Sequence, residues 1–90
     1  MIGLVLGETQ LGKLIIKKLR LLNKQFIIID ISKKKIFKKN KNFFPLSIGQ
    51  LGKALSILKK HKCKKVIFAG KVSIPNFSKT KFDLKALYYL

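Results

Sequence analysis

Hydrophobic positions along this chain occur in short clusters separated by polar, lysine-rich segments. Ile2–Leu6 is an almost continuous apolar run closed by Gly7, and residues 26–29 form a second run that ends in Asp30. Such runs, without alternation of polar residues, are typical of strands buried on both faces of a parallel sheet. We predict a strand at each run and a third at residues 66–69.

Two segments between these strands have apolar residues at helical spacing, and each predicts an amphipathic helix. The first helix has Thr9 as its expected N-cap. Its apolar face is expected to contain Leu11, Leu14, Ile15, Leu19 and Leu22. The second helix is predicted over residues 50–61. Its apolar positions are Leu51, Ala54, Leu55 and Leu58.

Three further segments have weaker patterns. Residues 32–42 are rich in lysine and predict a solvated loop or a short exposed helix. Residues 43–48 are interrupted by Pro45, so we expect a short edge strand there at best. Asp83 is placed to cap a third helix over residues 84–90.

The alternation of strands and helices predicts an α/β fold, a Rossmann-like parallel sheet with flanking helices. A chain of 90 residues has room for one small domain, which we assign to residues 1–80. Residues 81–90 are then the start of a helix leading toward a missing C-terminal domain, because the apolar segment 84–90 has no partner in the chain. We expect the N-terminal fragment of a two-domain protein.

The net charge of +18, from 21 basic and 3 acidic residues, suggests a polyanionic partner: nucleic acid, an anionic membrane surface or a phosphate-rich substrate. Two observations weaken that interpretation. Arg20 is the single arginine, whereas base and phosphate recognition favour arginine. Lysine is also abundant along the whole chain together with isoleucine, asparagine and phenylalanine, which indicates a compositional bias rather than one basic patch. A nucleic-acid-binding or nucleotide-binding module is kept as the alternative.

The chain begins with a strand and has neither an export signal nor an apolar run long enough to cross a bilayer. Cys63 is the single cysteine and has no partner for a disulfide or a metal site. We therefore expect a cytoplasmic protein with a free thiol.

Candidate binding residues follow the predicted strands, where ligands bind in this fold class. Residues 7–12 occupy the place of a phosphate-binding turn, but Thr9 breaks the dinucleotide fingerprint even though Asp30 has nearly the spacing of a ribose-binding acid. Lys71 follows the strand at 66–69 and is placed to neutralise a phosphate. Gln50 is placed either to bind a ligand or to fill a helix N-terminal position.

Acid–base catalysis has little support within these residues. The acids Glu8, Asp30 and Asp83 are widely separated and form no ligand set or acid–base pair. His61 ends the second helix among lysines, so we expect it at a solvated surface position. The chain offers binding elements without a visible catalytic group.

The motifs Gly-Gln-Leu-Gly-Lys at 49–53 and Ala-Gly-Lys-Val at 69–72, with Pro75 and the Asp-Leu-Lys-Ala-Leu run at 83–87, resemble the N-terminal domain of the UDP-2,3-diacylglucosamine pyrophosphatase family of lipid A biosynthesis, LpxI type. The opening strand and its glycine are similar to that family too. The resemblance covers essentially the whole chain and is weakest over residues 32–44.

The resemblance implies a hydrolase that cleaves UDP-2,3-diacylglucosamine to 2,3-diacylglucosamine 1-phosphate and UMP. It implies Mg²⁺ for the full-length enzyme, catalytic acids on the missing C-terminal domain, and peripheral contact with the inner membrane through the lipid substrate. Glu8 and Thr9 depart from the family's glycine-rich turn. Four residues carry over as candidate substrate-binding residues: Gly7, Gln50, Gly70 and Lys71.

Overall fold

The computed structural model describes residues 1–8, 10–70 and 83–87. Five strands form one sheet: β1 (Ile2–Leu6), β2 (Phe26–Asp30), β3 (Phe43–Pro45), β4 (Lys65–Ala69) and β5 (Asp83–Leu87). Within these described ranges the strands are connected by two helices, α1 (Leu11–Leu21) between β1 and β2 and α2 (Leu51–Lys60) between β3 and β4. A turn of 3-10 helix, Ile48–Gln50, precedes α2.

All pairings in the sheet are parallel, and the strand order is β3-β2-β1-β4-β5. This is the strand order of a doubly wound Rossmann sheet. The predicted α/β, Rossmann-like fold is confirmed. Residues 32–42 form a loop between β2 and β3, one of the two predicted alternatives, but Phe37 is buried in the core rather than solvated. The structure also confirms the short edge strand around Pro45, a residue with no N–H to donate.

The two faces of the sheet are covered by different helices. Ala54 and Leu58 of α2 pack with Val5, Ile29 and Val66 on one face. Ile16 and Leu19 of α1 pack on the opposite face. The residues they meet there are Leu4, Leu6, Ile28 and Phe37. Alternate residues of β1 and β2 therefore supply both cores, which is why these strands are apolar throughout.

The predicted apolar face of α1 is partly wrong. Ile16 and Leu19 are buried, but Leu14 is 64% exposed and Leu22 is 54% exposed. Gly12 is also buried, and its missing side chain makes room for Phe37. Its N-cap position is occupied by Gln10 rather than the predicted Thr9, a residue outside the described part.

The predicted third helix is wrong over residues 83–87. They form β5, paired in parallel with β4 from Lys65 opposite Asp83 to Ala69 opposite Leu87. A five-residue segment is too short for its apolar spacing to separate helix from strand, and the open edge of β4 provides backbone hydrogen-bonding partners that the sequence does not show. The C-terminal domain stays a prediction.

Neither helix in the described residues has the length and apolar character needed to cross a bilayer.

Candidate functional site

The carboxyl ends of β1 and β4 form the candidate site. The strand order reverses at this pair, because β2 and β3 lie on one side of β1 while β4 and β5 lie on its other side. A doubly wound sheet binds ligands in the crevice outside the strand ends at this point. Leu6 is in register with Ala69, and the Gly7 N–H donates to the Ala69 carbonyl oxygen at 3.0 Å.

Two predicted site glycines are thereby brought side by side. Gly7 follows Leu6 and Gly70 follows Ala69, so the backbone at both strand ends lacks side chains. Gly70 has φ of 106°, a conformation that L side chains rarely adopt. Lys71, the predicted cation of the site, lies outside the described residues. Phosphate contact by these residues stays a prediction.

Glu8 points away from β4 and toward the loop after β2. Its carboxylate Oε1 accepts a hydrogen bond of 3.0 Å from the Lys33 backbone N–H. The side chain is therefore engaged with the adjacent loop. This contact gives a structural role to the acid that departs from the family's turn.

Asp30 does not have the role of a ribose-binding acid that its spacing allows. The side chain is fully buried. One carboxylate oxygen accepts from the Ser32 N–H at 2.8 Å and the Ser32 hydroxyl at 2.5 Å, and the other accepts from the Phe37 N–H at 3.2 Å. The carboxylate thus holds the loop after β2, and an Asp-x-Ser pattern at a strand end is a sequence signal for such a turn.

Lys35 is a residue with a structural role that the sequence did not reveal. Its ammonium donates to three carbonyl oxygens, those of Asp30 at 3.1 Å, Ser32 at 2.7 Å and Leu46 at 2.6 Å. It joins the loop after β2 to the chain after β3. In a segment with six lysines, no local pattern distinguishes this one.

Gln50 lies at the N-cap position of α2 and is half-buried. Its side-chain oxygen accepts from the Ser47 N–H at 3.0 Å, while its own N–H donates to the Ser47 carbonyl at 2.9 Å. These reciprocal bonds close the turn before α2, so one of the two predicted roles, an N-terminal helix position, is what the structure shows. Substrate contact by Gln50 stays a prediction.

The described residues do not fit a divalent metal. They contain no group of three or more histidine, cysteine, aspartate or glutamate side chains that could hold an ion. Both carboxylate oxygens of Asp30 accept hydrogen bonds from the loop after β2, and the Glu8 carboxylate accepts one from the Lys33 N–H. We therefore derive no step through magnesium from this part of the chain.

The predicted solvated position of His61 is wrong. Both ring nitrogens are buried and have no hydrogen-bond partner among the described residues. The ring packs edge-on against Phe44, with 5.0 Å between centroids. The position of His61 at a helix end among lysines could not indicate this contact, because its partner Phe44 lies far away in the sequence, in the edge strand β3.

Comparison with known proteins identifies a family. Searches of curated proteins and of solved structures return none. The family model described as the LpxI N-terminal domain matches residues 1–90, the whole chain. The fold and strand order agree with the resemblance noted in the sequence. The chain belongs to the LpxI N-terminal domain family, which is associated with lipid A biosynthesis.

Proposed function

We propose that this chain forms the substrate-binding half of a hydrolase that cleaves UDP-2,3-diacylglucosamine to 2,3-diacylglucosamine 1-phosphate and UMP. One observation carries the proposal. In a chain matched throughout by the LpxI N-terminal domain, Gly7 and Gly70 lie side by side at the β1–β4 strand ends. A backbone without side chains at this crevice lets a diphosphate approach closely.

The division of labour follows from which groups are available. Gly7 and Gly70 present backbone to the substrate, and Lys71, the next residue, supplies a positive charge that offsets the charge on the diphosphate during cleavage. Asp30 and Glu8 hold the neighbouring loop rather than move protons. The catalytic acids and the Mg²⁺ that the family resemblance implies therefore belong to the proposed C-terminal domain.

The test measures UMP release from UDP-2,3-diacylglucosamine with magnesium. The chain alone is compared with the chain plus a C-terminal half from a complete relative. We expect turnover only in the mixture. No UMP from a mixture in which both halves are folded and associated would reject the proposal.

A matched pair of variants locates the site. Lys71→Ala is expected to lower kcat/KM of the mixture roughly ten- to hundredfold, because it removes a charge-assisted contact. Lys59→Ala removes an exposed lysine from the last turn of α2 and is expected to leave activity unchanged. Equal effects of the two would remove Lys71 from the site.

The alternative is a small basic module that binds nucleic acid, favoured by the net charge of +18. Base stacking needs exposed aromatic rings on the binding strands. Phe26 and Phe68, within β2 and β4, are buried in the core. Nucleic-acid affinity that falls steeply with salt, together with no activity on complementation, would support this alternative.

A further inference from the structure

The outward side of α1 carries exposed leucines and lysines that neither the fold nor the proposed cleft uses. Leu14 is 64% exposed and Leu21 is 74% exposed. They are seven residues apart, so they project within about 20° of each other around the helix. Lys17 and Lys18 are exposed between them. We call Leu14, Lys17, Lys18 and Leu21 the outer face of α1.

This face is opposite the one that holds the helix on the sheet. Ile16 and Leu19 are buried against β1 and β2. Two leucines at the solvent side of a helix that already has an apolar contact face add nothing to the packing of this domain. Their exposure is a cost that a partner would remove.

A groove beside the outer face extends the same chemistry. It has a volume of about 420 Å³ and lies between α1 and the loop after β2. Its lining includes Lys13, Lys17 and Arg20 together with Ile16, Leu21 and Ile36. The Arg20 guanidinium donates to the Asn40 side-chain oxygen, which fixes the arginine at the rim. The apolar floor of the groove and its cationic rim match the two parts of an anionic amphiphile.

Charge excludes several occupants. α1 contains no acidic residue, and of the three acids of the chain Asp30 is buried while Glu8 is bonded to Lys33 at the sheet edge. A second copy of a chain with net charge +18 would be repelled. Nucleic acid would neutralise the charge of the lysines but would leave the leucine side chains exposed to water. An anionic bilayer can bind both kinds of side chain, because the leucines enter the acyl boundary while the lysines extend toward the charged headgroups.

We propose that the outer face of α1 and the adjoining groove form a docking surface for an anionic lipid bilayer. The helix lies parallel to the membrane plane, with Leu14 and Leu21 inserted and Lys17, Lys18 and Arg20 at the level of the lipid phosphates. Two inserted leucines and a few lysines give weak, reversible attachment. The proposal does not rest on the hydrolase function, since bilayer binding requires no turnover.

The test is sedimentation of the chain with vesicles of phosphatidylcholine containing phosphatidylglycerol, and with vesicles of phosphatidylcholine alone. We expect binding to the anionic vesicles. Lys17→Gln with Lys18→Gln is expected to weaken it about 30-fold, since each lysine near an anionic surface contributes a factor of about five. The control is Lys59→Gln with Lys60→Gln, the same charge change in the last turn of α2. It is expected to change binding less than threefold, roughly the effect of lowered net charge alone.

A second pair separates lipid insertion from plain charge attraction. Leu14→Ser with Leu21→Ser keeps every charge and removes two side chains that are mostly exposed, so the fold is retained. We expect at least tenfold weaker vesicle binding, because insertion scales with apolar area.

Three results would overturn the proposal. They are the absence of binding to anionic vesicles, equal losses from the α1 and α2 lysine pairs, and unchanged binding of the leucine variant. The last result, combined with loss in the α1 lysine variant and tight binding of an oligonucleotide, would assign this face to nucleic acid.

Discussion

The Lys35 ammonium lies 2.6 Å from the carbonyl oxygen of Leu46 and donates a hydrogen bond to it. The same ammonium reaches the carbonyls of Asp30 and Ser32, so one side chain ties the end of β2, its loop and the end of β3 together. β3 is a three-residue edge strand that pairs with β2 on one side. The lysine adds three charged hydrogen bonds to the backbone pairing that holds this edge of the sheet.

Replacing Lys35 by methionine should destabilise the fold by about 2–3 kcal/mol, because three carbonyl oxygens lose a charged donor. The methionine keeps the apolar stem and the positive φ of 49° at this position. Lys34→Met is the control, since Lys34 is exposed in the same loop. Urea unfolding measures both variants. A Lys35→Met variant as stable as Lys34→Met would show that the three bonds contribute no net stability.

Gly12 and Gly52 give opposite predictions, although each is the second residue of its helix. A Cβ at Gly12 would lie 2.7 Å from Cζ of Phe37, a ring that is 2% exposed and packed in the core. A Cβ at Gly52 would meet nothing within 4 Å. Gly12→Ala should therefore lower the free energy of unfolding by about 1–3 kcal/mol, and Gly52→Ala should raise it by up to about 1 kcal/mol.

Thermal or urea unfolding of the two variants decides the point. A Phe37→Leu background provides the internal control. There Gly12→Ala should lower the free energy of unfolding by less, because the ring atom that its Cβ would contact is absent. An unchanged cost would locate the conflict elsewhere, for instance at Leu6, whose Cδ1 is 3.1 Å from the same Cβ.

The sheet could be predicted from sequence where one physical signal dominates. β1, β2 and β4 are buried on both faces, so their apolar runs are unambiguous, and the lengths of α1 and α2 give the helical period enough turns to be seen. The side-by-side position of Gly7 and Gly70 follows from parallel pairing of the strands before them. Those features need only local pattern and general topology.

Other features depend on contacts between distant residues. β5 exists because β4 offers a free edge, and a pattern in residues 83–87 cannot report that. The spacing of Asp30 fits a ribose-binding acid, and only the positions of Ser32 and Phe37 show that its carboxylate holds the loop after β2 instead. Leu14 is 64% exposed, whereas Gly12 is buried beside Phe37. Apolar spacing along α1 fits more than one rotation of the helix.

His61→Phe is expected to stabilise the protein by about 1 kcal/mol or more. The two buried ring nitrogens of His61 have no hydrogen-bond partner among the described residues. The substitution removes these two desolvated polar atoms and keeps an aromatic edge against Phe44. His61→Ala loses the ring contact as well and should be less stable than His61→Phe. A destabilised His61→Phe variant would indicate that at least one nitrogen forms a hydrogen bond in solution.

Because the Cys63 thiol is buried, we expect the folded protein to lose stability at alkaline pH. Cys63 is 4% exposed, and burial raises the pKa of its thiol above the ordinary value of 9.0. The folded state therefore retains a proton that the unfolded state releases. Well below pH 9.0 the thiol is neutral in both states, and as pH rises past 9.0 and through the folded pKa the free energy of unfolding falls.

The measurement is urea unfolding of the wild type and of Cys63→Ala from pH 8 to pH 10.5. Alanine cannot ionise, so the stability difference between the two proteins should narrow as pH rises, by up to 1.4 kcal/mol for each unit of upward pKa shift. Alkylation gives a second readout, because a buried neutral thiol should react with iodoacetamide far more slowly in the folded chain than in urea. Parallel pH profiles for the two proteins, together with fast alkylation of the folded chain, would mean that Cys63 is reached by solvent in the native state.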